Sequence, residues 1–240
     1  MIRVEGLVKR FGRMTAVNNL NLEVSPGELF VFLGPNGAGK TTTIKLIVGL
    51  LRPTAGRVFL CGYDVQKQYI EARALLSYVP DQPFLYDKLT GREFLQFVGA
   101  MYGMDRRATD ERVAYLTDLF ELSGFLDDLG QTYSHGMKQR VVISAALLHN
   151  PRVLVIDEPM VGLDPKGAKT FKAVMRELAR QQVTIFVSTH TLDIAEEAAD
   201  RVGIIRDGAL IALGTLDQIY SAARTDRRLE QAFLRLTDEA

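Results

Sequence analysis

Disulfides, a charge of one sign and long hydrophobic runs are all missing from this sequence, and each absence excludes something. Cys61 is the only cysteine, so no internal disulfide can form, which fits a reducing compartment. Lys+Arg and Asp+Glu both number 29, so the net charge is zero. That balance argues against bulk binding to nucleic acid or acidic surfaces, although a local basic patch stays compatible with it. The longest apolar run, Val141 to Leu148, is eight residues and is broken by Ser144. Crossing a bilayer takes about 18 or more. The start, Met1-Ile2-Arg3-Val4-Glu5, has no charged-then-apolar plan, so no signal peptide is expected. These readings predict a soluble, cytosolic chain.

What is present suits a globular fold. An apolar fraction of 47% with 24% charged residues rules out disorder, and 240 residues make one large domain or two small ones. Short β-branched or apolar runs at Ile2 to Leu7, Ala16 to Val24 and Leu29 to Leu33 predict strands, punctuated by Phe11-Gly12-Arg13 and Ser25-Pro26-Gly27. A helix is expected over Lys40 to Leu51, from apolar residues at Ile44, Ile47, Val48 and Leu51, and a further strand over Arg57 to Cys61. From Gly91 to about Asn150 the pattern is helical. Phe94, Phe97, Val98 and Met101 form one expected face, and Val113, Leu116, Leu119 and Phe120 another. The Met, aromatic and leucine stripes there are expected to be core. Val153 to Ile156 and Thr184 to Val187 are almost wholly apolar, as parallel strands covered on both faces should be, with a helix over Gly167 to Gln181 between them. Ile194 to Ala199 reads as helix, Val202 to Ile205 as strand, and Leu229, Phe233, Leu234 and Leu236 stripe a charged tail. A helical insert in an α/β core is the simplest plan.

Gly34-Pro35-Asn36-Gly37-Ala38-Gly39-Lys40-Thr41 fits the pattern G-x-x-x-x-G-K-[ST] between a strand and a helix. Its glycines let backbone N–H groups approach phosphate oxygens, and the helix after it points its positive end at the same charge. Lys40 would reach the β- and γ-phosphates, and the Thr41 hydroxyl Mg²⁺; Thr42 follows in the same nucleotide-binding stretch. A plain glycine turn is the alternative. At the end of the second core strand stand Asp157 and Glu158. Ligands of α/β sheets bind beyond the carboxyl ends of strands, so Asp157 is expected to hold Mg²⁺ and Glu158 to polarise an attacking water. Exposed acids at a turn are the bland alternative.

Tyr133-Ser134-His135-Gly136-Met137-Lys138-Gln139-Arg140 resembles the signature of ABC-type ATPases, whose usual form is Leu-Ser-Gly-Gly-Gln, and the order of motifs along nearly the whole chain supports the resemblance. It implies an α/β fold: a P-loop NTPase core of mainly parallel sheet, an N-terminal antiparallel β-subdomain and an inserted helical subdomain. The ATPase domain would span 1–220, with the helical subdomain at about 91–150 and a helical tail at 221–240. Phe11 resembles the aromatic that stacks on adenine, with a core aromatic as the alternative. Gly162-Leu163-Asp164-Pro165 resembles the loop that crosses to the partner subunit, giving Asp164 a role in dimer communication. Ser188-Thr189-His190 resembles the switch-histidine segment, so His190 would sense the γ-phosphate; a capping or core histidine is the alternative. Ser134 and the Gly136 N–H open a helix and would hold the γ-phosphate of ATP bound on the other protomer.

Three departures stand out. His135 and Met137 replace a glycine and the glutamine of the usual signature. Histidine tolerates φ > 0 better than most side chains, so the turn is expected to survive. In Tyr78-Val79-Pro80-Asp81-Gln82-Pro83, Asp81 holds the place of the usual glutamine ligand, and Gln82 follows it. Asp81 is a Mg²⁺ ligand candidate, with a plain loop aspartate as the alternative. The resemblance implies ATP hydrolysis that drives separate membrane permeases, docking near Phe84 to Thr90. It implies a homodimer or a pairing with a related ATPase, with no nucleic acid as partner. The chain would lie in the cytoplasm at the inner face of the cell membrane. Lys138-Gln139-Arg140 and the Leu229 to Thr237 tail look most like ATPases of drug, lipid or antibiotic exporters. The rival is an ABC-type ATPase of DNA repair or chromosome maintenance, but the stretch from Lys40 to Ser134 lacks the sustained heptads of a coiled coil.

Overall fold

Strand β3, Leu29–Leu33, is buried along its whole length, and its alternating side chains divide the core in two. Leu29, Val31 and Leu33 point into one cluster, while Phe30 and Phe32 point into the other, where they pack with Phe186 at ring separations of 5.4 Å. A strand covered on both faces belongs at the centre of a parallel sheet. In the computed structural model, which describes residues 1–160, 163–225 and 228–238, β3 sits there.

Its parallel neighbours are β8 (Thr184–Thr189) and β9 (Arg201–Arg206); β7 (Val153–Asp157) and β6 (Leu76–Val79) continue the sheet beyond β8. An antiparallel strand β10 (Ala209–Gly214) closes the other edge, for the order β10-β9-β3-β8-β7-β6. A second, antiparallel sheet runs β2 (Met14–Val24), β1 (Ile2–Phe11), β4 (Ala55–Leu60) and β5 (Tyr63–Asp64). Helix α1 (Lys40–Ile47) is packed with the phenylalanine face of β3 and the inner residues of this second sheet.

Helices α3 (Gly91–Met101), α4 (Arg106–Leu119) and α5 (His135–Leu147) lie between β6 and β7, after a short α2 (Tyr69–Ala74). Thr90 opens α3 with a reciprocal cap to Glu93, and Asp105 caps α4. Then follow α6 (Pro165–Arg180), α7 (Asp193–Ala198), α8 (Leu216–Ala223) and α9 (Leu229–Asp238). Leu229 and Ala232 of α9 are fully buried in the larger core cluster. No helix among the described residues is long and apolar enough to cross a membrane.

Several sequence expectations shift. Helix α1 ends at Ile47 instead of Leu51, because Gly49 takes φ +72° and the amides of Leu50 and Leu51 fold back to the Lys45 carbonyl. Strands β1 and β2 run past their apolar stretches to an exposed hairpin tip, where Phe11 pairs with Met14. Helix α6 starts at Pro165, two residues early, since Asp164 caps it and proline suits the first helical position.

The expected face of α3 is wrong in half its members. Phe94 and Leu95 are buried and Val98 is half-buried, but Phe97 is 44% and Met101 71% exposed. Gly99 explains the rotation: a Cβ there would meet the Thr109 side chain at 2.7 Å, so α4 packs directly on that glycine. The Val113, Leu116, Leu119 and Phe120 face of α4 is inward as expected, with Leu119 partly covered. Strands β5, β6 and β10 and helices α2 and α8 are not predicted by the sequence pattern, and α8 crosses the expected boundary at residue 220.

Candidate functional site

The carboxyl ends of β3, β8 and β7 are adjacent in the sheet, and each ends in residues of one site. After β3 comes the loop Gly34 to Gly39, and its backbone is built for close approach. Gly34 could carry no side chain, since a Cβ would lie 2.6 Å from the Ile205 carbonyl. Gly39 sits at φ +104° as the residue before α1, and a Cβ there would collide with the Ala16 carbonyl. No acidic residue stands in the first turn of α1, so its positive end is free for an anion.

A cleft of 620 Å³ opens above this loop. Asn36, Gly37, Gly39, Lys40, Thr41 and Thr42 line it, together with Asp81 and Glu158. Gly34, Pro35 and Ala38 stand behind that lining. The Gly34 and Pro35 carbonyls accept from Lys40 Nζ at 2.7 and 3.2 Å, and Ala38 is buried. Lys40 is itself buried, and this burial pushes its ammonium down, against the opposing pull of Glu158 and Asp157. Its Nζ is 3.9 Å from Glu158 Oε1.

Glu158 follows β7 with a left-handed backbone, φ +50°, while its N–H donates to the Ser188 carbonyl at 2.9 Å. That turn sends its carboxylate toward the end of β8. Thr189 Oγ1 donates to Glu158 Oε2 at 3.0 Å, and His190 Nδ1 is 2.9 Å from Oε1. His190 is half-exposed, which excludes the core-histidine reading.

Asp157, the last residue of β7, is fully buried. The Ser188 hydroxyl donates to its Oδ1, while Oδ2 has no hydrogen-bond partner among the described residues. Burial raises this carboxyl above the usual aspartate range, and the Ser188 and Thr41 hydroxyls only partly oppose that shift. An unpartnered buried carboxylate oxygen beside a hydroxyl and a third acid, Asp81, is a donor set that suits Mg²⁺. Among the described residues no three His, Cys, Asp or Glu side chains form a metal cage of their own. An ion held largely by phosphate and water needs none. Asp81 lines the cleft; Gln82 is exposed and does not.

Phe11 lies apart from the cleft lining. It is 44% exposed at the hairpin tip with Lys9 Nζ 4.9 Å from its ring centre, so it is not a core aromatic. The cleft residues that sequence reasoning missed come from two other hairpins' ends: Met14, Thr15 and Ala16, and Asp207 and Gly208. Asp207-Gly208 is a legible turn signal. Only the fold shows that Gly208 bonds both Ala38 and Asn18.

Ser134 caps α5, its hydroxyl accepting from the Met137 N–H at 3.3 Å. His135 is the first residue of that helix and takes no left-handed φ, so its tolerance for φ > 0 is not called upon. Ser134, Gly136 and Asp164 line a separate 340 Å³ cleft that shares no residue with the phosphate cleft. Asp164 is exposed and caps α6, accepting from Gly167 N at 2.7 Å. Gly162 of the expected crossing loop lies outside the described residues.

The profile of the family described as ABC transporter matches residues 17–161, which hold the glycine loop, Ser134 and the Asp157-Glu158 pair. The chain belongs to the ABC transporter family. Among curated relatives, a probable multidrug ABC transporter ATP-binding protein of Escherichia coli, YbhF, is 36% identical over 98% of this chain. The chain spans 41% of that relative's length. The linearmycin resistance ATP-binding protein LnrL of Bacillus subtilis is 36% identical over 92% of this chain and 71% of its own. Among solved structures, an ATP-binding subunit of an ABC transporter superposes with a TM-score of 0.93 at 32% identity, covering 98% of this chain and 99% of that one. A dimeric ATP-binding cassette in a post-hydrolysis state with ADP and Pi matches at a TM-score of 0.83 and 25% identity, over 90% and 99% of the two chains. The α/β plan of an ABC cassette, with its mainly parallel and its antiparallel sheet, is therefore the fold of this chain.

Proposed function

We propose that this ABC-family chain binds and hydrolyses ATP to drive export through separate membrane permease chains. The observation that carries the reading is the meeting of Lys40 and His190 on the Glu158 carboxylate at the mouth of the phosphate cleft. In the proposed cycle the glycine loop and Lys40 hold the β- and γ-phosphates, so Lys40 exchanges the Gly34 and Pro35 carbonyls for phosphate oxygens. Glu158 accepts a proton from a water that attacks the γ-phosphorus, releasing ADP and phosphate. His190 gives its ring N–H to that carboxylate and turns it to the γ-phosphate when ATP arrives. Thr41 and Asp157, with Asp81, would hold Mg²⁺, which supplies charge neutralisation for the phosphates. Phe11 would stack on adenine once nucleotide is bound.

Transport is the favoured use of the chemistry, because relatives are named for multidrug transport, linearmycin resistance and, in Bacillus licheniformis, bacitracin transport. DNA repair and chromosome maintenance find no such support. Phe84 and Tyr86 are 66% and 46% exposed and meet edge to face at 5.2 Å, with Phe97 against Tyr86 at 5.9 Å. This is apolar surface that a permease helix would cover. The segment is tied to the signature helix by Lys138 and Asp87 at 3.7 Å, so docking has a physical route to Ser134. We place the helical subdomain at about 91–150 and, since α8 runs through residue 220, start the helical tail at α8 instead of at residue 221. The chain would work in the cytoplasm, peripheral to the inner face of the membrane. Affinity purification from detergent-solubilised membranes tests the assignment: polytopic membrane chains should co-purify, and their absence alongside salt-sensitive DNA binding would refute it.

A further inference from the structure

A cleft of 560 Å³ lies away from both sites described above and shares no lining residue with either. Its walls come from the helical insert on one side and from α6 on the other. Leu116 and Leu119 of α4 and Val174 and Leu178 of α6 supply apolar lining, while Asn150, Gln181 and Gln182 add polar groups. Its size falls in the ordinary range for small-molecule sites, about 300–1,000 Å³. Two cations, Arg112 and Arg152, also line it, and the one carboxylate of the lining, Glu177, is already engaged by Arg180 and Gln181.

Arg112 is the informative residue. One end of its guanidinium donates from Nη2 to the Leu147 carbonyl at 3.0 Å, and the group lies 5.0 Å from the Tyr115 ring centre. Its Nε is buried with no hydrogen-bond partner among the described residues. Burial lowers the guanidinium's pKa, and no carboxylate is among the groups that oppose the shift. A half-buried cation with no carboxylate partner is costly, and an anion in the cleft beside it offsets that cost.

We propose that this cleft binds a small amphiphilic anion whose carboxylate is met by the guanidinium groups of Arg112 and Arg152, and whose alkyl body lies between α4 and α6. A carboxylate matches the planar fork of a guanidinium. The stretch lined by Leu116, Leu119, Val174 and Leu178 favours an alkyl body over a highly charged one such as a nucleotide. The proposal is independent of the hydrolytic reading of the phosphate cleft.

The test is calorimetric titration of the full chain with sodium decanoate below its micelle concentration, paired with thermal melts. One saturable site is expected, with Tm rising as decanoate is added. Decanol, which has the same body without charge, should bind about tenfold or more weaker. Arg112→Met should lose a similar factor. Should that variant fold poorly, Leu119→Trp fills the cleft with Arg112 intact and should abolish binding. Saturating ATP should leave decanoate affinity unchanged. The proposal is overturned if decanol binds as tightly as decanoate, if Leu119→Trp retains wild-type affinity, if ATP displaces the ligand, or if no saturable binding occurs.

Discussion

His190 Nδ1 and Glu158 Oε1 lie 2.9 Å apart, although 31 residues of chain separate the ends of their two strands. The pairing holds the carboxylate at the mouth of the phosphate cleft while Thr189 occupies its other oxygen. A carboxylate so oriented is suited to take a proton from water. Glu158→Gln preserves the shape and removes the base, so turnover should fall by about 10²–10⁴ with ATP binding intact. Steady-state phosphate release checks this. Near-normal turnover would remove Glu158 from the mechanism.

Lys40 is buried and bonded to the Gly34 and Pro35 carbonyls of the loop. Its charge is therefore held close to where phosphate oxygens would come. Lys40→Ala should abolish tight ATP binding, read by titration with a fluorescent ATP analogue. Unchanged affinity would make the glycine loop merely structural.

Asp157 is a fully buried carboxyl whose pKa is raised, chiefly by burial. By linkage, an acid with a raised pKa contributes stability below its unfolded pKa, and that contribution is lost as pH rises through the folded value. At pH 7 the ion-free protein carries this cost. Asp157→Asn should therefore raise the Tm of nucleotide-free protein at pH 7, by roughly 2–4 °C for each kcal/mol recovered. The gain should vanish below the ordinary aspartate range. The same variant should lose Mg²⁺-dependent hydrolysis, so a variant that is neither more stable nor less active would contradict both roles.

His149 stacks on Tyr102 with ring centres 3.6 Å apart, and burial lowers its imidazole from 6.5 to about 4. A base depressed in the folded state contributes stability above its unfolded pKa and loses it as pH falls through the folded value. Between pH 6.5 and about 4 the wild type should therefore weaken. His149→Phe keeps a stacked ring and should show a Tm loss smaller by up to about 10 °C over that window. Parallel pH profiles for the two proteins would count against this account.

The legible parts of this molecule were those written in local chemistry. The glycine loop, the strand that runs into Asp157-Glu158 and the cap at Ser134 each depend on neighbours in sequence, and the structure places them as expected. What escaped was set by contacts far along the chain. The face of α3 turns on Gly99 meeting Thr109, which no periodicity within α3 reveals. Strand β6 has four residues, too few for a period, and is recognisable only by its pairing with β7. The approach of Ala16 and Gly208 to the phosphate loop likewise exists only once two sheets have packed together.

Ser134 and Gly136 open α5 in a cleft that shares no residue with the phosphate cleft of the same chain. If both helix starts serve one γ-phosphate, that phosphate must lie between two protomers. Twofold symmetry then places two such phosphates at the ends of one isologous interface. Hydrolysis removes the bridge, so Glu158→Gln with ATP should accumulate dimer, while nucleotide-free protein stays mainly monomeric. Asp164 lines the signature cleft and is exposed, so an arriving protomer would meet it beside Ser134. Ser134→Arg in the Glu158→Gln background should block the dimer by placing bulk and charge at the contact. Ser134→Ala should only weaken it, since the Gly136 N–H remains. Size-exclusion chromatography with light scattering reads all four states. A trapped variant that stays monomeric with ATP would mean that the signature carrying His135 and Met137 does not support self-pairing, and that the complementary ATPase is a different chain.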